Sequence, residues 1–347
     1  MLKNILHKYR KILILGLLFC LAILTALGIT NLREQSAKSP IKFEFDIPAA
    51  VAAEPIQPIP LKLELDKTTV ELGKKLFNEP KLSSNNSMSC ATCHILEQGG
   101  TERLATSKGM NGHRLSLNSP TVFNSGFQSR QLWDGSKETL EEQIDGPILT
   151  VGEMGGLSWS DIIKKLKQDS EYRTAFNNIY ADGITEDNIK NAIATFTRSL
   201  YTPNSPFDKY LRGSDDAISK EAKEGYNLFK SYGCVTCHQG VLLGGNMFQT
   251  LGIFGNYFAD RGNVVKADLG RYNVTKNELD RHVFKVPTLR NIALTPPYLH
   301  DGNAKTLDEA IKIMGKYQLG VDIPQKDVDL IMQFLMALTG EYEGKSL

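Results

Sequence analysis

Two short segments restrict this 347-residue chain more than anything else in it: "SCATCH" and "GCVTCH". Each reads Cys-x-x-Cys-His. One supplies Cys90, Cys93 and His94, the other Cys234, Cys237 and His238. Two thiols at that spacing with an adjoining imidazole are what covalent attachment of a c-type haem needs. The thiols bond the vinyl groups and the imidazole ligates the iron. Zinc or dithiol redox chemistry is the competing use of Cys-x-x-Cys, but neither requires a histidine beside both pairs. The chain is therefore expected to carry two haems, each in its own small unit, and its length suits two domains plus extensions.

Forty basic and thirty-nine acidic residues leave a net charge of +1, so the electrostatic footprint of a nucleic-acid binder is missing. Four of the five cysteines are used by the motifs, leaving no pair for a disulfide. The fifth, Cys20, lies in an apolar run and follows Phe19 rather than a small residue. Lys3, Lys8, Arg10 and Lys11 precede that run, Ile12 to Ile29. Basic residues before an apolar stretch keep the amino end in the cytoplasm and send the rest across. Residues 1–30 thus read as a signal peptide or an inner-membrane anchor, with anchoring favoured, and the bulk of the chain is expected in the periplasm. Residues 31–60, with prolines at 40, 48, 55, 58 and 60, read as an extended tether.

Beyond the tether the periodicity is helical. "DKTTVELGKKLFNEP" and "SKEAKEGYNLFKSYG" each place a Leu-Phe pair at a helix end just before a haem motif. A second repeat is longer. "PTVFNSGFQSRQLWDGSKETLEEQI" lies over "PTLRNIALTPPYLHDGNAKTLDEAI" without a gap, so Asn124 meets Asn291, Trp133 meets His300, and Asp134-Gly135 meets Asp301-Gly302. Thr139 and Thr306 then each open a helix through a capping box. The fold class expected is mainly α: two cytochrome c-like haem domains related by internal duplication, residues 61–215 and 216–347, preceded by an N-terminal apolar helix.

The repeat is most informative where it breaks. Met314 sits at the end of the helix opened by Thr306, whereas the same register puts Pro147 in the first half, and Pro cannot ligate iron. Glu153, in "VGEMGG", falls opposite Gly320. Met314 reads either as core filling or as a thioether ligand that would raise the potential of the second haem. Glu153 reads either as an exposed loop carboxylate or as a general acid–base at a bound peroxide. Gln143 is a surface amide or a hydrogen-bond donor beside it. Trp133 is a core residue or a stepping point between haems. His300 reads as a satisfied core histidine or one facing a propionate.

Taken with the two motifs, "QLWDGSKETLEEQIDGPILTVGEMG" and "VPTLRNIALTPPYLHDG…AIKIMGKYQLG" resemble the bacterial di-haem cytochrome c peroxidases over Leu61 to Gly340. The resemblance implies that hydrogen peroxide is reduced to water by electrons from a small periplasmic donor, a cytochrome c or a cupredoxin. It implies His94 as ligand of a low-potential peroxidatic haem, and His238 with Met314 as ligands of a high-potential haem through which electrons enter. It further implies Glu153 and Gln143 as the distal catalytic pair and Trp133 as the tryptophan between haems. Asn118, Thr295 and Pro297 would hold Ca²⁺ between the domains, and the protein would be a homodimer. One departure stands out. Where many members have a histidine capping the resting peroxidatic haem, this chain has Met110, with His113 three residues on. The sixth position of the first haem is thus open to Met110, to His113 or to no residue. The expectation is that no histidine firmly caps it. Two other readings compete: a di-haem electron carrier without peroxidase activity, and a di-haem oxidase that matures a protein-derived quinone cofactor.

Overall fold

The helix Lys67–Phe77 starts on Asp66, whose carboxylate accepts the Thr69 N–H at 2.8 Å. Its stripe of Leu72, Gly73, Leu76 and Phe77 is buried, largely against the helix Glu186–Ser199. Contact is closest at Gly73, where a β-carbon would lie 2.0 Å from the carbonyl oxygen of Ala192. Only glycine permits that approach. The second half repeats the arrangement. Lys220–Ser231 starts on Ser219 and packs on Gln325–Met336, and a β-carbon at Gly225 would lie 1.9 Å from Leu330 O. In both halves the first helix of the pair precedes the haem motif, directly in the second half and across the 3-10 turn Pro80–Leu82 in the first.

The computed structural model describes residues 54–347, and these fall in one compact unit. The apolar run 12–29 and the tether as far as residue 53 lie outside the described residues. Among the described residues no helix is long and apolar enough to cross a membrane. The described residues are mainly helical and contain two antiparallel two-stranded ribbons: Phe248–Thr250 with Val283–Lys285, and Glu341–Tyr342 with Lys345–Ser346.

Two large cores follow the two halves. The first holds Leu72, Leu76, Ile162, Tyr172, Phe176 and Ile193, and the second Phe229, Leu243, Ile311, Val328 and Phe334. The helix Pro206–Leu211 already belongs to the second core, because Phe207 stacks edge-on against Tyr226 at 4.8 Å and Phe334 at 4.9 Å. The ends of the chain cross over. Residues 54–60 form neither helix nor strand, in keeping with their prolines, and are docked on the second half. Ile56 is fully buried in the second core, Glu54 accepts the Tyr226 hydroxyl at 2.6 Å, and Gly240 N donates to Pro55 O at 2.8 Å. At the other end, Tyr342 and Leu347 pack with Phe77, Phe123 and Phe196 of the first half.

The sequence repeat has a backbone counterpart. Asn124 and Asn291 both adopt a left-handed conformation at the start of a single 3-10 turn (φ 61° and 60°). Leu132 and Leu299 (φ 69° and 71°) and Gly135 and Gly302 (φ 63° and 62°) match in the same register. So do the isolated bridges Gln131–Lys137 and Tyr298–Ala304. The capping boxes match less well. Thr306 and Glu309 exchange both bonds, whereas Glu142 reaches the Glu138 N–H instead of that of Thr139. The first-half helix is then only Leu140–Gln143. A new one restarts at Asp145–Leu149, which places Pro147 in a first turn where its missing N–H costs nothing.

Candidate functional site

Both motif histidines are oriented in the same way. His94 Nδ1 lies 3.2 Å from Gly100 O, and His238 Nδ1 lies 2.9 Å from Leu243 O. A ring N–H given to a carbonyl fixes the tautomer and leaves Nε2 with its lone pair, the form that binds a metal. Burial also lowers both imidazole pKa values, so the rings are held neutral and ready to ligate. The four motif cysteines form no disulfide. Burial pushes Cys90 and Cys93 up to about 12 and Cys234 up to about 11, unlike the depressed values of dithiol redox sites.

Met314 closes the helix Leu307–Met314, and a π-helical turn, Gly315–Leu319, follows at once. Such turns bend a helix locally and are common at functional positions. Gly315 is buried against Ile323 and the Val321 carbonyl, while Gln318 ties the turn to Gly252 N at 2.6 Å and Thr250 O at 3.0 Å. The arm that carries Met314 is therefore fixed from behind. Ile311 and Leu319 flank it in the second core together with Cys234. Met314 itself is half-buried and is not one of the side chains packed into that core, in contrast to Met332. Met336 is exposed.

Glu153 is not the exposed loop carboxylate that its Gly-rich turn allowed. It is half-buried, burial raises its pKa, and it lies near enough to Cys93 for its charge to act on that thiol. The loop of Met110 is laid over the same turn. Met110 N donates to Glu153 O at 2.8 Å and to Gly152 O at 3.1 Å. Gly109 sits so close that a β-carbon there would be 2.0 Å from Gly152 O. Met110 is buried, with its Sδ 3.9 Å from the Ser87 hydroxyl. His113 is exposed, its ring against Gly152. Gln143, half-buried, ends the short helix Leu140–Gln143 before this turn.

Trp133 joins the halves. Its indole N–H donates to Asn118 O at 2.9 Å, its own carbonyl accepts from Lys285 N at 2.8 Å, and its ring meets His300 edge-on at 6.4 Å. It packs, with Ile313, on a cluster of second-half aromatics formed by Tyr257, Phe258, Phe284 and Tyr317. His300 is a satisfied buried histidine whose Nε2 faces Asp268 at 2.7 Å. Burial alone would raise the Asp268 pKa. Arg261, the Val265 N–H and His300 outweigh it and hold the carboxyl at about 2. Asn118 donates its backbone N–H to His300 O at 2.7 Å and its side-chain N–H to Leu104 O at 2.8 Å. Thr295 lies against Gly99, on the loop that continues to Leu104.

A sequence profile described as "Di-haem cytochrome c peroxidase" matches residues 67–216. The chain is 44% identical over 292 residues to the cytochrome c551 peroxidase of Nitrosomonas europaea, covering 84% of this chain and 85% of that one. The chain belongs to the di-haem cytochrome c peroxidase family. It is also 48% identical over 289 residues to the cytochrome c peroxidase Ccp of Escherichia coli K12; this spans 83% of the present chain but 62% of that longer relative. Among solved structures, a MauG-like protein associated with microbial copper homeostasis superposes with a TM-score of 0.74 at 26% identity, covering 86% and 96% of the two chains.

The residues present fit the two c-type haems that this di-haem family implies. Each motif offers two unbridged thiols and a neutral, pre-oriented imidazole. Two groups near them carry no sequence signal of function. Glu102 Oε1 is buried without a hydrogen-bond partner, and its charge also acts on Cys93. Lys285 is a buried lysine on the strand that touches Trp133. Neither belongs to a periodic pattern or a motif, so only the fold brings them to the haem units. For calcium, Asn118 is buried and turns its amide nitrogen to Leu104, which leaves its Oδ1 available to a cation. Among the described residues, the one group of three acidic or histidine side chains with metal-like spacing is Asp268, His300 and Asp301. Arg261 already neutralises it through both carboxylates.

Proposed function

We propose that this peroxidase divides its work between the two motifs, with electrons entering at the second and peroxide reduced at the first. The haem held by Cys90, Cys93 and His94 supplies the redox chemistry: two electrons and two protons convert hydrogen peroxide to two waters. The observation that carries the assignment is Glu153, a half-buried carboxyl near Cys93 whose pKa burial raises. A carboxyl of that kind can take the proton from one peroxide oxygen and deliver it to the other as the O–O bond breaks. Gln143 serves as the neighbouring hydrogen-bond donor. Trp133 gives the halves a shared aromatic contact along which electrons pass.

His238 and Met314 are the ligand pair on the second side. A histidine–thioether pair favours ferrous iron more than two imidazoles do, which suits an electron-accepting position. The recurrence of backbone geometry from Asn124 to Gly135 and from Asn291 to Gly302 supports duplication of one ancestral haem unit. Asn118 Oδ1 with the carbonyls of Thr295 and Pro297 forms a set of neutral hard oxygens suited to Ca²⁺ with several waters. A small soluble cytochrome c or cupredoxin is the proposed donor, the homodimer the proposed assembly and the periplasm the proposed compartment.

The test is direct. Intact mass after denaturation should show two haem adducts, and stopped-flow mixing of the reduced protein with hydrogen peroxide should give rapid two-electron oxidation. A mass equal to the bare polypeptide would sink the haem assignment. Slow oxidation at full haem content would favour a plain electron carrier.

A further inference from the structure

Lys285 ends the strand Val283–Lys285 and is 7% exposed. Among the described residues no carboxylate pairs with its ammonium, and the Gln128 amide oxygen is its hydrogen-bond partner. A buried ammonium facing one neutral amide is an unfinished arrangement, since buried charges are ordinarily paired. Burial accordingly pushes this lysine down to about 8.

Its surroundings are those of the second motif. Val286 N donates to Met247 O at 3.0 Å, Gly245 N to Val286 O at 2.7 Å, and Ser129 N, next to Gln128, to Gly245 O at 2.9 Å. That loop begins at His238 and contains Leu243, whose carbonyl orients the His238 ring. On its other side Lys285 N is bonded to Trp133 O. The missing anion therefore belongs between the second haem unit and Trp133. A haem brings two propionate carboxylates to such a place.

We infer that Lys285, held by Gln128, is the buried counter-ion of a propionate of the second haem and helps to set that haem's potential. Ferric iron carries one more positive charge than ferrous, so a nearby cation favours the reduced state. Removing it would also leave the propionate as an unpaired buried anion that favours the oxidised state. Both effects have the same sign: loss of Lys285 lowers the potential. The inference rests on the second motif carrying a haem, not on the order in which electrons move.

The experiment is a spectroelectrochemical titration of the full holoprotein, following the two haems separately, in wild type, Lys285→Met and Lys285→Arg. Lys285→Met should shift the reduction equilibrium of the second haem at least tenfold toward ferric, about 59 mV for a one-electron couple. Lys285→Arg should recover most of the loss, and the first haem should stay in place. An unchanged second-haem potential in Lys285→Met overturns the inference. So does a shift confined to the first haem, or an Arg variant that behaves like Met. Should Lys285→Met not load haem, Lys285→Gln, which keeps a polar group without the charge, gives the same two-way reading. A negative result would leave the peroxide assay and the Met314 ligand test unaffected.

Discussion

Replacing Glu153 by Gln removes one ionisable group while keeping the side chain's size and one hydrogen-bonding oxygen. If Glu153 shuttles the proton between the peroxide oxygens, turnover should fall roughly 10²- to 10⁴-fold, the usual worth of a positioned acid–base group. The lower bound corresponds to about 2.7 kcal/mol of barrier. Stability should move the other way or not at all. Burial raises the Glu153 pKa, so the folded protein binds this proton more tightly than the unfolded chain does. Its contribution is therefore fully favourable below the ordinary carboxylate range and is lost as pH rises through the raised folded value. At neutral pH the substitution removes a group whose ionisation opposes folding. Steady-state peroxide turnover, a pH–rate profile and thermal unfolding, measured on one preparation, separate the possibilities. Wild type should lose activity on acidification at a pH above the usual carboxylate range, and the variant should lack that limb. Glu153→Asp, which withdraws the carboxyl by one methylene, should fall in between. Normal turnover in Glu153→Gln, or a loss that tracks a lower melting temperature, refutes the reasoning.

Met314→His should keep the second haem six-coordinate but lower its potential, since imidazole stabilises ferric iron more than a thioether does; redox titration checks this, and an unchanged potential would remove Met314 as a ligand. His113→Ala should leave the EPR spin states and turnover unchanged, because the exposed ring only packs on Gly152. Conversion of a low-spin signal to high spin by that change would instead make His113 the cap. Gly225→Ala should destabilise the protein by roughly 1–3 kcal/mol in denaturant titrations. Its new methyl meets the Leu330 carbonyl at 1.9 Å, and helix propensity returns only about 1 kcal/mol of the strain.

What could be read from the sequence divides along chemical lines. Haem attachment was legible because covalent chemistry fixes residue type and spacing within five positions, and the helix start at Thr306 was legible because its capping box forms through local bonds. The repeat gave the matched turns at Asn124 and Asn291 for the same local reason. It could not give the break after Gln143, where Glu142 bonds one residue early and the helix restarts in time for Pro147. Burial of Glu153 depends on the Met110 loop folding over it, a contact between distant segments that leaves no periodic trace. Lys285 was invisible for a related reason. A lysine in a three-residue strand looks like any edge residue until the loop after His238 closes around it.

The crossing of the chain ends has a topological consequence. Ile56 belongs to the second core, and Tyr342 and Leu347 pack on Phe77, Phe123 and Phe196 of the first half, so neither half is built from one continuous stretch of chain. A cut near residue 204 would yield two fragments, each missing a strip of its own wall and carrying a strip of the other's. The buried Arg290 guanidinium shows the dependence at atomic scale. It pairs with Asp208 at 2.7 Å but also donates to Gln57 O at 2.9 Å, and a fragment starting after residue 204 would leave that second bond unmade. The two units therefore behave as a clasped pair, each end of the chain fastening the opposite member. A hinge rotation of one against the other would have to draw out both fasteners together.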